Sequence, residues 1–186
     1  MRYNQRGVGR SKGSRFAIRN LRGQLDAGDV PTMVEFLAEK LQTTSKNPKI
    51  VVIGYSFGAC LAAYALQDPR VALYIGISFP LGGLSNILNT KEGFERLISN
   101  AVKMPRLLVL GSTDQYTKVA VLEAAVSGAG GRMVDQSGNG EVGGGGTLLF
   151  KVYPENGHFW ETDSALMVES CIEFCGKYLE NLSGNS

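Results

Sequence analysis

The chain holds a single histidine, His158, and only three cysteines, and no apolar run in its 186 residues approaches the length of a membrane span. Any imidazole chemistry therefore falls to one position. Cys60, Cys171 and Cys175 are an odd number without metal-type partners. They read as reduced core residues rather than a disulfide framework, which favours an intracellular, cytoplasmic setting. No signal-peptide pattern opens the chain. Acid is missing from one end: residues 1–22 contain Arg2, Arg6, Arg10, Lys12, Arg15, Arg19 and Arg22 and no Asp or Glu. Beyond them the acidic residues outnumber the basic ones, although the whole chain carries +2. Three readings of the basic segment compete: an organelle transit sequence, a phosphate-binding arm, or a turn that belongs to the fold.

What is present suits one α/β domain. Hydrophobic residues make up 44% of the chain, enough for a real core over residues 1–186. Asp29-Val30-Pro31 reads as a helix start, with Met33, Phe36, Leu37 and Leu41 on one face. Strands are expected at 50–54, 71–79, 106–111 and 147–152, and helices at 58–67, 92–103, 115–127 and 163–181. Short strands separated by helices mean parallel βαβ units with right-handed crossovers. In such sheets, sites form at the carboxyl ends of the strands. Residues 127–146 carry nine glycines in twenty positions and are expected to be a flexible surface excursion. A phosphate cradle does not fit there, because the stretch does not open a helix after a strand. The connection 80–105 is too short for a large lid over an apolar site.

The densest signal is Ile50-Val-Val-Ile-Gly54-Tyr55-Ser56-Phe57-Gly58. An apolar β-branched run ends in G-x-S-x-G and a helical pattern follows, which is the pattern of a serine exposed on a strained strand-to-helix turn. Strand and helix approach closely there, so small residues are expected at Gly54 and Gly58. The N–H of Phe57 is a candidate oxyanion donor. A serine nucleophile needs a base, and His158 follows the last strand, beside Gly157 in a turn. An acid should come from the strand end Gly111-Ser112-Thr113-Asp114. Asp114 can orient His158, cap the helix expected after it, or do both. Asp135, in the Gly-rich stretch, is a poor competitor.

The order Ser56, Asp114, His158, each after its own strand, is the chain order of α/β-hydrolases. With the G-x-x-D strand end and the terminal Gly157-His158, the chain resembles that superfamily over essentially its whole length. It is most similar to the small, lid-poor predicted serine hydrolases. Their fourth strand runs into a turn like Arg6-Gly7-Val8-Gly9-Arg10-Ser11, and their elbow reads Gly54-Tyr55-Ser56-Phe57-Gly58.

The resemblance implies a mostly parallel twisted sheet flanked by helices and lacking the family's first strands, since Met1–Asn4 match only the end of strand four. Residues 1–5 and Ile50–Gly54 would then lack a pairing neighbour. The loop after strand three, which supplies a second oxyanion N–H in the family, would also be missing. The chain is then either a fragment or shortened isoform of a longer enzyme, or a scaffold that keeps the triad without the full machinery. The first implies hydrolysis of carboxylic esters, thioesters or similar acyl substrates, and the second a binding or interaction protein. Neither needs a metal or organic cofactor. The expected partner is a small acyl substrate rather than nucleic acid, and the oligomeric state stays open.

Overall fold

The computed structural model of the chain describes residues 1–2, 4–13, 24–82, 90–99, 101–134 and 147–183. Among these residues five strands, β1 (Ile50–Tyr55), β2 (Val71–Ile77), β3 (Arg106–Gly111), β4 (Arg132–Met133) and β5 (Leu148–Tyr153), form one sheet in the order β1-β2-β3-β5-β4. Every pairing is parallel. The sequences of β2 and β3, VALYIGI and RLLVLG, are buried at every position, as strands covered on both faces must be. Alternation divides their side chains between two cores. Tyr74, Leu108, Leu110 and Phe150 face one core, together with helices α1 (Gln24–Leu41), α2 (Phe57–Ala62), α3 (Thr90–Ile98) and α4 (Val119–Gly128). Leu73, Ile75, Leu107, Val109 and Leu149 face the other, against Cys171, Phe174 and Tyr178 of α5 (Ser164–Ser183). The sheet is thus the middle of three layers, the α/β architecture the alternating pattern predicts.

Helix boundaries depart from the sequence reading where side chains compete with the backbone. α1 starts at Gln24, not near Asp29, and Pro31 lies inside it. Its buried stripe is Ala27, Val30, Val34 and Ala38, while Phe36 is 45% exposed. α1 lies on the alanine-rich turns of α2 and the 3-10 segment Ala63–Ala65, and small side chains permit that approach where Phe36 would not. The helix expected to reach Lys103 ends at Ile98, where the Ser99 hydroxyl accepts the N–H of Ala101. The helix expected from residue 115 starts only at Val119, because Asp114 takes the backbone N–H groups before it.

At the amino end, Arg6 docks on α1. Its backbone N–H donates to Asp26 Oδ1 at 3.1 Å, and its guanidinium grips Asp29 through Nε at 2.7 Å and Nη2 at 2.5 Å. The turn it opens bends through Gly9, at φ 58°, a conformation that favours glycine. These contacts favour the reading in which residues 6–11 belong to the fold. Arg15, Arg19 and Arg22 lie outside the described residues. Among those residues, no strand flanks β1 on the side away from β2, and Ile53 there is 55% exposed.

Cys60 and Cys171 are buried, Cys175 is half-buried, and all three are free thiols. Burial pushes the Cys171 thiol up to about 11. No described helix is long and apolar enough to cross a membrane.

The glycine-rich stretch is not surface excursion throughout. Arg132–Met133 pairs with Leu149 and Phe150, the Val134 N–H donates to the Phe150 carbonyl at 2.9 Å, and the Val134 side chain is buried beside Leu149. Residues 135–146, including Asp135, lie outside the described residues. Val134→Asp should therefore cost more than about 2 kcal/mol, combining lost apolar burial with a desolvated carboxylate. Met133→Asp, next door and 56% exposed, should stay within about 0.5 kcal/mol. Urea unfolding midpoints of the two variants check the contrast, and equal midpoints would mean that this edge does not pack.

Candidate active site

Three strand ends converge on one point. The β1 ladder runs one step past Tyr55, with the Ser56 N–H donating to the Ile77 carbonyl at 2.8 Å. The chain then turns at once into α2, with Ser56 at φ 54°, ψ −127°. A side chain in that region costs about 1–3 kcal/mol and persists only where its surroundings over-determine it. One constraint is visible at Gly54. A Cβ added there would lie 2.5 Å from Ala59 Cα, and closer still to the Gly58 carbonyl oxygen. Gly58 differs from the expectation: an added Cβ meets nothing within 4 Å, and its φ is not in the left-handed region. The close approach thus demands a glycine before the serine and not after it.

Asp114 follows β3 and is almost fully buried. Its Oδ1 accepts the N–H groups of Tyr116 at 2.7 Å and Thr117 at 3.0 Å, which leaves Oδ2 for His158 Nδ1 at 2.8 Å. One oxygen thus meets His158 and the other takes two backbone N–H groups. The cap is that of a turn rather than of α4, whose N-cap is Lys118.

His158 is likewise buried, with Nε2 2.8 Å from Ser56 Oγ. An ionised carboxylate only accepts hydrogen bonds, so the Nδ1 proton points to Asp114 and Nε2 is left to accept from the serine hydroxyl. The histidine loop is tied to the loop after β3. The Thr113 N–H donates to the Asn156 carbonyl at 3.0 Å, and the Glu155 N–H donates to Ser112 Oγ at 3.1 Å. Gly111 makes room, since a Cβ there would collide with the Asn156 carbonyl. The positive-φ positions of this loop are Glu155 at 58° and Trp160 at 56° rather than Gly157.

Around the imidazole stand the rings of Tyr116, edge-on at 4.5 Å, Phe159 at 5.2 Å and Tyr55 at 5.7 Å. Two residues that sequence reasoning passed over also support the site. The Thr117 hydroxyl donates to the Phe79 carbonyl and accepts the Leu81 N–H, both at 2.7 Å, joining the loops after β2 and β3. Ser78, fully buried at φ 50°, lies beneath His158. In sequence it fell inside the strand expected over 71–79, and nothing there marked it; the structure ends that strand at Ile77. Phe57, the candidate oxyanion donor, is the first residue of α2. No described group of three or more His, Cys, Asp or Glu residues could hold a metal ion.

Residues 2–78 match the family model described as the alpha/beta hydrolase fold. The chain has the α/β-hydrolase fold. Solved structures with this fold include an alpha-beta serine hydrolase homologue from Coxiella burnetii, with 23% identity and a TM-score of 0.55 over 96% of this chain and 66% of that one. An esterase from Pyrococcus furiosus matches with 16% identity and a TM-score of 0.64, over 95% of this chain and 68% of its own. A serine hydrolase without lid from Xanthomonas campestris matches with 19% identity and a TM-score of 0.55, over 88% and 58%. The chain thus spans about two thirds of the length of these structures, or less. No curated protein matches it in sequence.

The elbow geometry of this hydrolase fold generates an asymmetric prediction. Gly54→Ala should destabilise by about 2 kcal/mol or more, because backbone rather than a movable side chain blocks the methyl. Gly58→Ala should be neutral or slightly stabilising, since it removes unfolded-state freedom at a permitted conformation. Thermal melts of the two variants measure this, and equal losses would contradict the one-sided approach.

Proposed function

We propose that this chain is a serine hydrolase of carboxylic esters, thioesters or similar acyl substrates. The reading rests above all on one observation: two 2.8 Å hydrogen bonds run in series from Ser56 Oγ through His158 to Asp114, with the serine held on a strained elbow. In this mechanism Ser56 Oγ attacks the acyl carbonyl while its proton passes to His158 Nε2. The tetrahedral oxyanion draws on the Phe57 N–H, the donor that the elbow itself supplies. Collapse breaks the bond to the leaving alcohol or thiol, which takes the proton from His158. Water then repeats the sequence on the acyl-serine, His158 accepting its proton, and releases the acid. Asp114 orients the imidazole through Nδ1 and stabilises its cation without taking the proton.

A second reading, a hydrolase scaffold that binds acyl compounds without turning them over, draws on the third or so of the Coxiella burnetii and Pyrococcus furiosus structures that has no counterpart in this chain. Removal of one oxyanion donor typically lowers the rate by about 10²–10³.

A fluorophosphonate probe tests the proposal. Wild-type protein should be labelled covalently on Ser56 and should hydrolyse p-nitrophenyl acetate. Ser56→Ala should lose labelling altogether and lower kcat by about 10⁴-fold. His158→Gln should do nearly the same, and the double variant no more than either, because such residues act as a unit. Labelling without turnover would favour the binding scaffold. Unlabelled wild-type protein, with ester hydrolysis unaffected by Ser56→Ala, would remove Ser56 as nucleophile.

A further inference from the structure

In the sheet order β1-β2-β3-β5-β4, two strands separate β1, which ends at Ser56, from β5, which carries His158. The histidine loop leaves β5 and ends at α5, and between them the imidazole must reach across β3 and β2 to meet the serine. The contacts to Ser112 and Thr113 hold the loop at β3, next to its own strand. Something has to hold its far end.

The far end is held through the backbone carbonyl of His158 itself. Tyr55 Oη, from the last residue of β1, donates to that oxygen at 2.9 Å, and Ser78 Oγ, from the residue after β2, donates to it at 3.3 Å. One carbonyl thus accepts hydrogen bonds from two different strand ends. Ser78 Oγ in turn accepts the Trp160 indole N–H at 2.9 Å, so the loop is tied to Ser78 again two residues further on. Ser78 and Trp160 both sit at positive φ, 50° and 56°, and non-glycine residues hold such conformations only when surrounding bonds impose them. Burial, and then the Asp114 carboxylate, push the Tyr55 phenol above its ordinary range, which keeps it a donor.

We propose that Tyr55 and Ser78 are positioning residues for His158: by holding its carbonyl from the ends of β1 and β2, they set the imidazole in line between Asp114 and Ser56. This rests on the reading of Ser56 as nucleophile and His158 as base. Neither residue touches the reacting atoms. Their effect passes through the angle of one ring, and a misplacement of about 1 Å in such a site can cost 10²-fold in rate.

Because the chain has one histidine, its ring signals in a nitrogen-15 NMR spectrum need no assignment. Wild type should show a single tautomer with the proton on Nδ1 and a sharp downfield proton resonance from the bond to Asp114. In Tyr55→Phe, which removes one oxygen from a half-exposed side chain and should fold normally, that resonance should broaden and tautomers should mix. Its fluorophosphonate labelling rate and its kcat should fall about tenfold, with KM within twofold. Ser78→Ala should act in the same direction and the double variant should lose about 10²-fold, with circular dichroism verifying the fold. A labelled wild type whose Tyr55→Phe variant keeps both the downfield resonance and the labelling rate would overturn the inference, as would an altered resonance with an unchanged rate. Unlabelled wild-type protein would instead overturn the hydrolase reading on which the inference rests.

Discussion

The parallel register of β1, β2, β3 and β5 is the constraint on which the rest depends. Tyr55 pairs with Ile77, Ile77 with Val109, and Gly111 with Tyr153, so four strands end along one edge and release their loops side by side. Ser56 follows β1 by one residue, Ser78 follows β2 by one, Asp114 follows β3 by three, and His158 follows β5 by five. The increasing reach matches geometry: the serine and the residue beneath it need almost no loop, whereas the imidazole has to travel back across the sheet. Shifting one strand would part the serine from its partner whatever the loops did, and it would exchange the side chains of the two cores.

The site concentrates features that are costly elsewhere. Ser56, Ser78, Glu155 and Trp160 all have positive φ, and Asp114, His158 and Ser78 are buried polar groups. Each polar group is offset by a specific bond. Both oxygens of Asp114 are occupied, both ring nitrogens of His158 are occupied, and the Ser78 hydroxyl donates once and accepts once. A half-satisfied network in this position would be worse than an apolar one. The strain is carried by the two apolar cores that clamp the sheet from either side, since strained conformations survive only on a framework that cannot relax around them.

Paired buried polar groups elsewhere follow the same rule and serve packing. Lys151 of β5 places Nζ 3.2 Å from Ser170 Oγ and 3.7 Å from Glu173, which carries the charge out to solvent. Ser170 also bonds to Tyr153, so this polar seam ties β5 to α5 on the face away from α1 to α4. Tyr74 donates to the Ala59 carbonyl at 2.7 Å across the opposite core, holding α2 over β2 close to the elbow.

The sequence by itself determined four of the five described strands and the parallel sheet, and it offered Ser56, Asp114 and His158 as candidates. Each rests on short-range information: apolar runs of strand length, a glycine two before a serine at a strand-to-helix change, a carboxylate and a lone histidine directly after strands. Only tertiary structure decided the rest. No local pattern reveals that Gly54 is hemmed in while Gly58 is free, because the obstruction is the backbone of α2 folding back over β1. Propensity could not show that α1 would run through Pro31 with Phe36 outward, because the small-residue surface of α2 and the turn after it selects the buried stripe. The strand at Arg132–Met133 is too short to carry a period and exists because β5 offers it an edge. Ser78 and Tyr55 meet the His158 carbonyl across 80 and 103 residues of chain. Contacts of that separation are set by sheet order, which follows from how the layers pack and not from any segment read alone.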